Sequence, residues 1–239
     1  MALVAVTAGY GSRVVLRDVT LAVRERTVTL LIGANGAGKS TVLKTLIGLV
    51  PNVTGDVFVG GRNVTRLSVG ARVAHGVAYV RQGGAVFPSL TLRDNLELGL
   101  ESTARVQRTR ALDYALTLFP ALKNRLSGRA GLLSGGQRVC LALAVAICRS
   151  PRVLLVDEPS AGLAPALANS VLRSIRELNR ESGVTVLLVE QRIREAIAAA
   201  DHALAFAGGA IVAETASPTD WLAAGILERY FLSVPEVSR

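Results

Sequence analysis

The segment TVTLLIGANGAGKST, residues 27–41, changes character at Gly33. Up to Ile32 it is a β-branched and aliphatic run of the kind that parallel sheets bury on both faces. From Gly33 onward it fits G-x-x-x-x-G-K-[ST], with Gly33, Gly38, Lys39 and Ser40 at the fixed positions and a helical pattern beginning near Lys39. A glycine-rich turn between a strand and a helix lets backbone N–H groups converge on an anion, and the helix start adds the positive end of its dipole. Gly36 and Gly38 give the turn its freedom, and Asn35, Ala37 and Thr41 are expected to bind alongside them. Lys39 is placed to neutralise β- and γ-phosphate charge, and the Ser40 hydroxyl to coordinate Mg²⁺.

Further along, VLLVDEPS (residues 153–160) supplies what a phosphate loop lacks. An apolar strand, Val153 to Val156, ends at the adjacent carboxylates Asp157 and Glu158. Asp157 can hold Mg²⁺ through its water shell, which leaves Glu158 to orient or deprotonate an attacking water. An acidic pair after a strand is otherwise a solvated turn; the phosphate loop elsewhere in the chain gives it this reading. Between the two stands LLSGGQ (132–137), where Ser134, Gly135, Gly136 and Gln137 open an apolar helical run. By itself that is a serine helix cap followed by a flexible glycine pair. It also has the chemistry of an anion cradle, without a lysine beside it.

The order of phosphate loop, LLSGGQ and Asp-Glu resembles the ATP-binding cassette (ABC) ATPases along the whole chain. The resemblance implies an α/β fold of the P-loop NTPase class. It would have a mostly parallel sheet core, an N-terminal antiparallel β subdomain and a helical subdomain inserted at about 88–150, all within a single domain over 1–239. It also implies ATP and Mg²⁺ as ligands. In that family the signature of one copy caps the ATP held by another, so Ser134, Gly135, Gly136 and Gln137 are expected to meet a partner's nucleotide. The missing lysine then comes from the partner. Tyr10, in AGYGS, stands where the family stacks an aromatic ring on adenine. Gln82, in VAYVRQGGAVFPSLT, matches a glutamine that reaches Mg²⁺ or water and senses a membrane partner. SAGLAP (160–165) matches the loop along the dimer seam, although it also reads as a helix-start turn with Pro165 near the first helical position.

The strand VTVLLVE ends at Glu190, and Gln191 follows where most of the family places a histidine on the γ-phosphate. An amide can donate a hydrogen bond there but cannot become cationic near neutral pH, so slower hydrolysis is expected. His75 and His202 read as surface or packing residues. VEQ, GLAP, GANGAGKST and VFPSLTLRDNLELG together resemble the second ATPase subunit of branched-chain amino acid importers and its urea and amide relatives, which pairs with a sister that keeps the histidine. Three features depart from that pattern: Arg81 in place of proline, GGA at 83–85, and Val145 within an otherwise small-residue run.

Composition agrees with a single α/β unit. Half of the 239 residues are hydrophobic, yet no apolar run reaches the ~20 residues of a membrane span, and the N-terminus lacks the pattern of a secretory leader. We expect the cytoplasmic face of the membrane. Partners implied by the resemblance are transmembrane permease subunits, a second ATPase subunit and, indirectly, an extracytoplasmic solute-binding protein. The net charge of +9 comes mostly from scattered arginines, and aromatics are 4%, so nucleic acid is not an expected partner. The competing class, a soluble ABC ATPase on DNA or ribosomes, would carry long coiled coils or two cassettes, and this chain has neither. A partner that binds ATP without turning it over is suggested by Gln191 and opposed by Glu158. Cys140 and Cys148 share one apolar helical stretch and read as core. Helices are expected from Lys39 and over 135–149, 165–181 and 192–200, a helical insert over 91–126, and strands at 55–61, 76–80, 152–156, 184–190 and as a pair around 203–213.

Overall fold

A computed structural model describes residues 1–223. The chain begins with β1 (Ala2–Tyr10), β2 (Arg13–Ala22) and β3 (Val28–Ile32), then α1 (Lys39–Ile47), β4 (Asn52–Val59), β5 (Arg62–Asn63), α2 (Val69–Ala74) and β6 (Val77–Val80). Three helices follow, α3 (Leu92–Leu100), α4 (Arg108–Leu118) and α5 (Gly135–Cys148). The rest alternates: β7 (Val153–Asp157), α6 (Pro165–Ser182), β8 (Thr185–Val189), α7 (Ile193–Ile197), β9 (His202–Ala207), β10 (Ala210–Thr215) and α8 (Asp220–Ala223).

Among the described residues the strands form two sheets. One has the order β2-β1-β4-β5 with antiparallel neighbours. The other has the order β10-β9-β3-β8-β7-β6 and is parallel except for the antiparallel hairpin of β9 and β10. In β3, β7 and β8 every residue is buried, as the unbroken apolar runs require of strands covered on both faces. Two apolar cores result. Leu30, Ile32, Leu154, Val156 and Leu188 point toward α3–α6, whereas Leu31, Leu155, Leu187 and Val189 point toward α1 and the small sheet. The period-2 alternation of the strands thus assigns neighbouring residues to opposite layers.

The helices follow their local signals. Pro165 opens α6 and Gly183, with φ of 68°, closes it, while Val171, Leu172, Ile175 and Leu178 bury one face at helical spacing. Each such aliphatic side chain contributes roughly 1.5–3 kcal/mol on burial. Thr91 and Asp94 form a reciprocal capping box on α3. The stretch between β6 and β7 is helical, as expected, with α3 and α4 packed on α5. Elsewhere the structure corrects the expectations. The helix foreseen over 192–200 is only Ile193–Ile197, because its alanine run contributes few large apolar groups to hold a longer one. The strand expected at 55–61 begins earlier, at Asn52. Helix α2, capped by Ser68, had no periodic signal at six residues. Cys148 is buried, but Cys140 is half-exposed at the core's edge. Burial still pushes both thiols up, Cys140 to about 11 and Cys148 to about 12.

Candidate active site

Sheet register assembles the site. Leu31 of β3 lies opposite Val189 of β8, Val189 lies opposite Asp157 of β7, and Val156 lies opposite Val80 of β6. The parallel strands therefore deliver the loop after Ile32, the carboxylates Asp157 and Glu158, the turn carrying Gln82 and the Glu190–Gln191 pair to one edge. Ligand sites of open α/β sheets form at this carboxyl edge.

The glycine positions of the loop have separate causes. A Cβ on Gly33 would collide with the carbonyl of Phe206 in β9, so this glycine permits close strand packing. Gly36 and Gly38 take φ of 78° and 111°, the left-handed region where side chains are strained. Gly38 starts α1, whose first turn holds no acidic residue to compete with an anion. Lys39 is buried, and its Nζ donates to the carbonyls of Gly33 at 2.8 Å and Ala34 at 3.0 Å, which holds the ammonium inside the loop. Burial pulls its pKa below the ordinary lysine range, against the opposing pull of the Glu158 and Asp157 charges. Tyr10, Arg13, Asn35, Lys39, Thr41 and Glu158 are among the residues lining a cavity of about 280 Å³ around this loop, and Tyr10, Arg13 and Asn35 are exposed. Arg13 was not foreseen; only its place just after AGYG could have suggested it.

Asp157 receives hydrogen bonds on both oxygens, from Ser40 Oγ at 2.9 Å and from the Tyr79 hydroxyl at 3.0 Å. Burial raises its pKa, and those two bonds pull the other way. Glu158 has φ of 45°, unusual for a side-chain-bearing residue, and its N–H bonds the Val189 carbonyl at 2.9 Å. Strain of this kind costs roughly 1–3 kcal/mol and gathers at working sites. Here it turns the carboxylate so that Gln82 Nε2 donates to Oε2 at 2.8 Å.

Gln191 is exposed and does not line the cavity of its own chain. Both neighbours are anchored. Buried Glu190 accepts from the backbone N–H of Ser160 at 2.8 Å and of Gln191 at 3.0 Å, and Arg192 donates to the carbonyl of Leu163 at 2.7 Å. The SAGLAP turn is thus tied to the segment bearing Gln191. Sequence reasoning missed Glu190 and Arg192 as anchors, because backbone acceptors and donors leave no pattern of residue types. His75 caps the end of α2 and His202 sits on β9, away from the loop.

At LLSGGQ the helix-cap reading holds. Ser134 is the N-cap of α5: its hydroxyl accepts from Gln137 N–H at 3.3 Å, and Gln137 Oε1 accepts from Ser134 N–H at 3.1 Å. Gln137 Oε1 also accepts from Arg125 at 3.0 Å. Ser134 and Gly135 are exposed, and a Cβ on Gly135 would meet open space. Gly136 is different: it is buried, and a Cβ there would run into Leu167 of α6. The GGA departure also acquires a reason. Gly84 has φ of 66°, and a Cβ there would lie 2.8 Å from the backbone of Arg138 and Val139, so the turn after Gln82 rests directly on the start of α5.

The donor set fits its expected ligands. A buried lysine, left-handed glycines and a free helix start suit a polyphosphate, while a hydroxyl 2.9 Å from a carboxylate offers the hard oxygens that Mg²⁺ prefers. Fold and site together define a P-loop nucleotide-binding α/β protein. Residues 16–161 match the family described as ABC transporter. The chain belongs to that family and is an ABC transporter ATP-binding subunit that hydrolyses ATP. Among its relatives is the "Probable branched-chain amino acid transport ATP-binding protein LivF" of Archaeoglobus fulgidus, 36% identical and covering 87% of this chain and 88% of the relative. BraG of Pseudomonas aeruginosa, a "High-affinity branched-chain amino acid transport ATP-binding protein", is 40% identical over 85% of this chain and 87% of its own. A solved ATP-binding subunit of an ABC transporter superposes with a TM-score of 0.81 at 26% identity, covering 94% of this chain and 93% of that one. A dimeric cassette bound to ADP and Pi in a post-hydrolysis state superposes at 0.79, with 25% identity over 90% and 97%. Among the described residues no helix is long and apolar enough to cross a membrane.

Proposed function

We propose that this chain is the ATPase of a branched-chain amino acid type importer, or of a urea or amide importer of the same kind. It would sit on the cytoplasmic face against transmembrane permease subunits, with a solute-binding protein acting from the other side. The relatives named for branched-chain amino acid transport support the cargo class. The phosphate loop Gly33–Thr41 grips the triphosphate, Tyr10 meets the base, and Ser40, Asp157 and Gln82 hold Mg²⁺. When bound, Mg²⁺ draws off charge from the phosphates and orients them. Glu158, held by Gln82, accepts the proton of the attacking water.

One observation carries the reading: Ser134 and Gly135 are exposed at a helix start, outside the cavity that their own phosphate loop lines. They are free to complete the site of a second chain, while Gln191 contributes a neutral hydrogen bond to the γ-phosphate held by its own loop. Two chains close over two nucleotides, and closure is driven because ATP binds the closed state more tightly than the open one. Gln191 supports a partner that is a different ATPase chain retaining the histidine.

In the test, Glu158→Gln should bind Mg-ATP, lose turnover by roughly a hundredfold or more as a missing general base predicts, and accumulate as an ATP-dependent two-chain species on gel filtration. Monomers alone at saturating ATP, with and without the sister chain, would contradict it.

A further inference from the structure

Tyr79 sits three positions before Gln82, and the two divide the carboxylates between them. Gln82 holds Glu158, whereas the Tyr79 hydroxyl donates to Asp157 Oδ2 at 3.0 Å. Ser40 already occupies Oδ1 at 2.9 Å, so the Asp157 carboxylate is held at both oxygens and cannot rotate without breaking one of these bonds. The other end of Tyr79 faces elsewhere. It packs in the same apolar layer as Ile47, Val73 and Val77, and Tyr79, Ile47, Leu49 and Val73 are among the residues lining a cavity of about 250 Å³. A tyrosine with an apolar body in one compartment and its polar tip in another transmits a shift of the first to the second, because its ring is rigid. Groups that hold a metal-ligating carboxylate in place typically influence metal affinity about as strongly as weak ligands do.

We infer that Tyr79 is a positioning residue that sets the orientation of Asp157 and makes it depend on how the layer containing Ile47 and Val73 is packed. The inference rests on the reading of Asp157 as a Mg²⁺ ligand. It concerns the strand β6 rather than the glutamine that follows it, and it gives Val73 a role. Val73 is half-buried and packs in the same layer as the ring.

The test is calorimetric binding of ATPγS to the full chain over a Mg²⁺ series, with the ligand-free melting temperature checking each variant's fold. Tyr79→Phe should raise the Mg²⁺ concentration for half-maximal tightening by about tenfold, while affinity in EDTA stays within about twofold. Val73→Phe should shift that midpoint by about threefold or more in the Tyr79 background and leave it unchanged beside Tyr79→Phe, the signature of energetic coupling. Asp157→Asn separates the two levels. If it keeps the wild-type Mg²⁺ response, the metal reading of Asp157 fails. If it flattens that response while Tyr79→Phe titrates like wild type, the role of Tyr79 is overturned and the metal reading stands. Equal shifts by Val73→Phe in both backgrounds would overturn the coupling.

Discussion

Lys39 illustrates how a single side chain serves two masters at the residue scale. Its ammonium is buried against the carbonyls of Gly33 and Ala34, so truncation removes a phosphate partner and also leaves two buried acceptors unmet. Charged hydrogen bonds are worth roughly 1.5–3 kcal/mol, so Lys39→Ala should weaken ATP binding by roughly ten- to a hundredfold, read by equilibrium binding. The glycines at 135 and 136 look alike in the sequence but answer to different constraints. Gly136→Ala should cost about 1–3 kcal/mol of stability by overpacking against Leu167, visible in denaturant unfolding. Gly135→Ala has open space and helical geometry, so it should be neutral or slightly stabilising in the same assay. Equal losses from both would mean that Gly136 is held by something other than this contact.

At the scale of elements, α6 is fastened to the central sheet by an ion pair. Both Arg176 Nη atoms engage Asp201, at 2.6 and 2.7 Å, and Asp201 Oδ2 also accepts from the N–H of Val28 at 2.8 Å, at the start of β3. Burial pushes the Asp201 carboxyl up, but the bonds from Arg176 and Val28 outweigh it and leave the pKa below the ordinary carboxylate value. A folded pKa below the unfolded one means that this stabilisation is complete above the unfolded pKa of about 4 and is lost as pH falls through the folded value. Arg176→Ala should therefore cost about 2 kcal/mol at pH 7, with a smaller difference from wild type once the pH is well below the ordinary carboxylate pKa, measured by urea unfolding at both. None of this was foreseen, since the partners are distant in sequence and neither belongs to a recognisable pattern. What could be read were features local in the chain: the buried strand runs, the glycine-lysine loop, the acidic pair and the Ser134 cap each announce themselves within ten residues. The site's internal wiring, Tyr79 to Asp157, Glu190 to Ser160 and Arg192 to Leu163, depends on sheet register, which residue spacing does not encode. The shortened α7 and the unforeseen α2 mark the other boundary, because helices of one or two turns owe their existence to tertiary packing rather than to periodicity.

Across the whole molecule, the phosphate loop with its carboxylates and the Ser134–Gly135 edge are distinct surfaces, joined through the turn after Gln82. That turn touches Glu158 by Gln82 and the start of α5 by Gly84, so it is in contact with both surfaces. A protein whose site is split in this way should show separable defects. Ser134→Arg places a bulky cation where a partner's nucleotide would lie, yet Ser134 lies outside the cavity of its own phosphate loop. Its ATP affinity as an isolated chain should stay within about twofold of wild type while ATP-dependent pairing in a Glu158→Gln background is lost, because rim substitutions outside a pocket leave its binding energy nearly intact. Lys39→Ala in the same background should lose both. Mixing the two variants restores one complete site, the intact loop of the first with the intact edge of the second, so sedimentation in ATP should recover a two-chain species that neither forms alone. If the mixture stays monomeric while the Glu158→Gln parent pairs, one complete site is too weak to hold two chains together. If Ser134→Arg abolishes nucleotide binding by the isolated chain, the edge serves its own loop and the two-surface division is wrong.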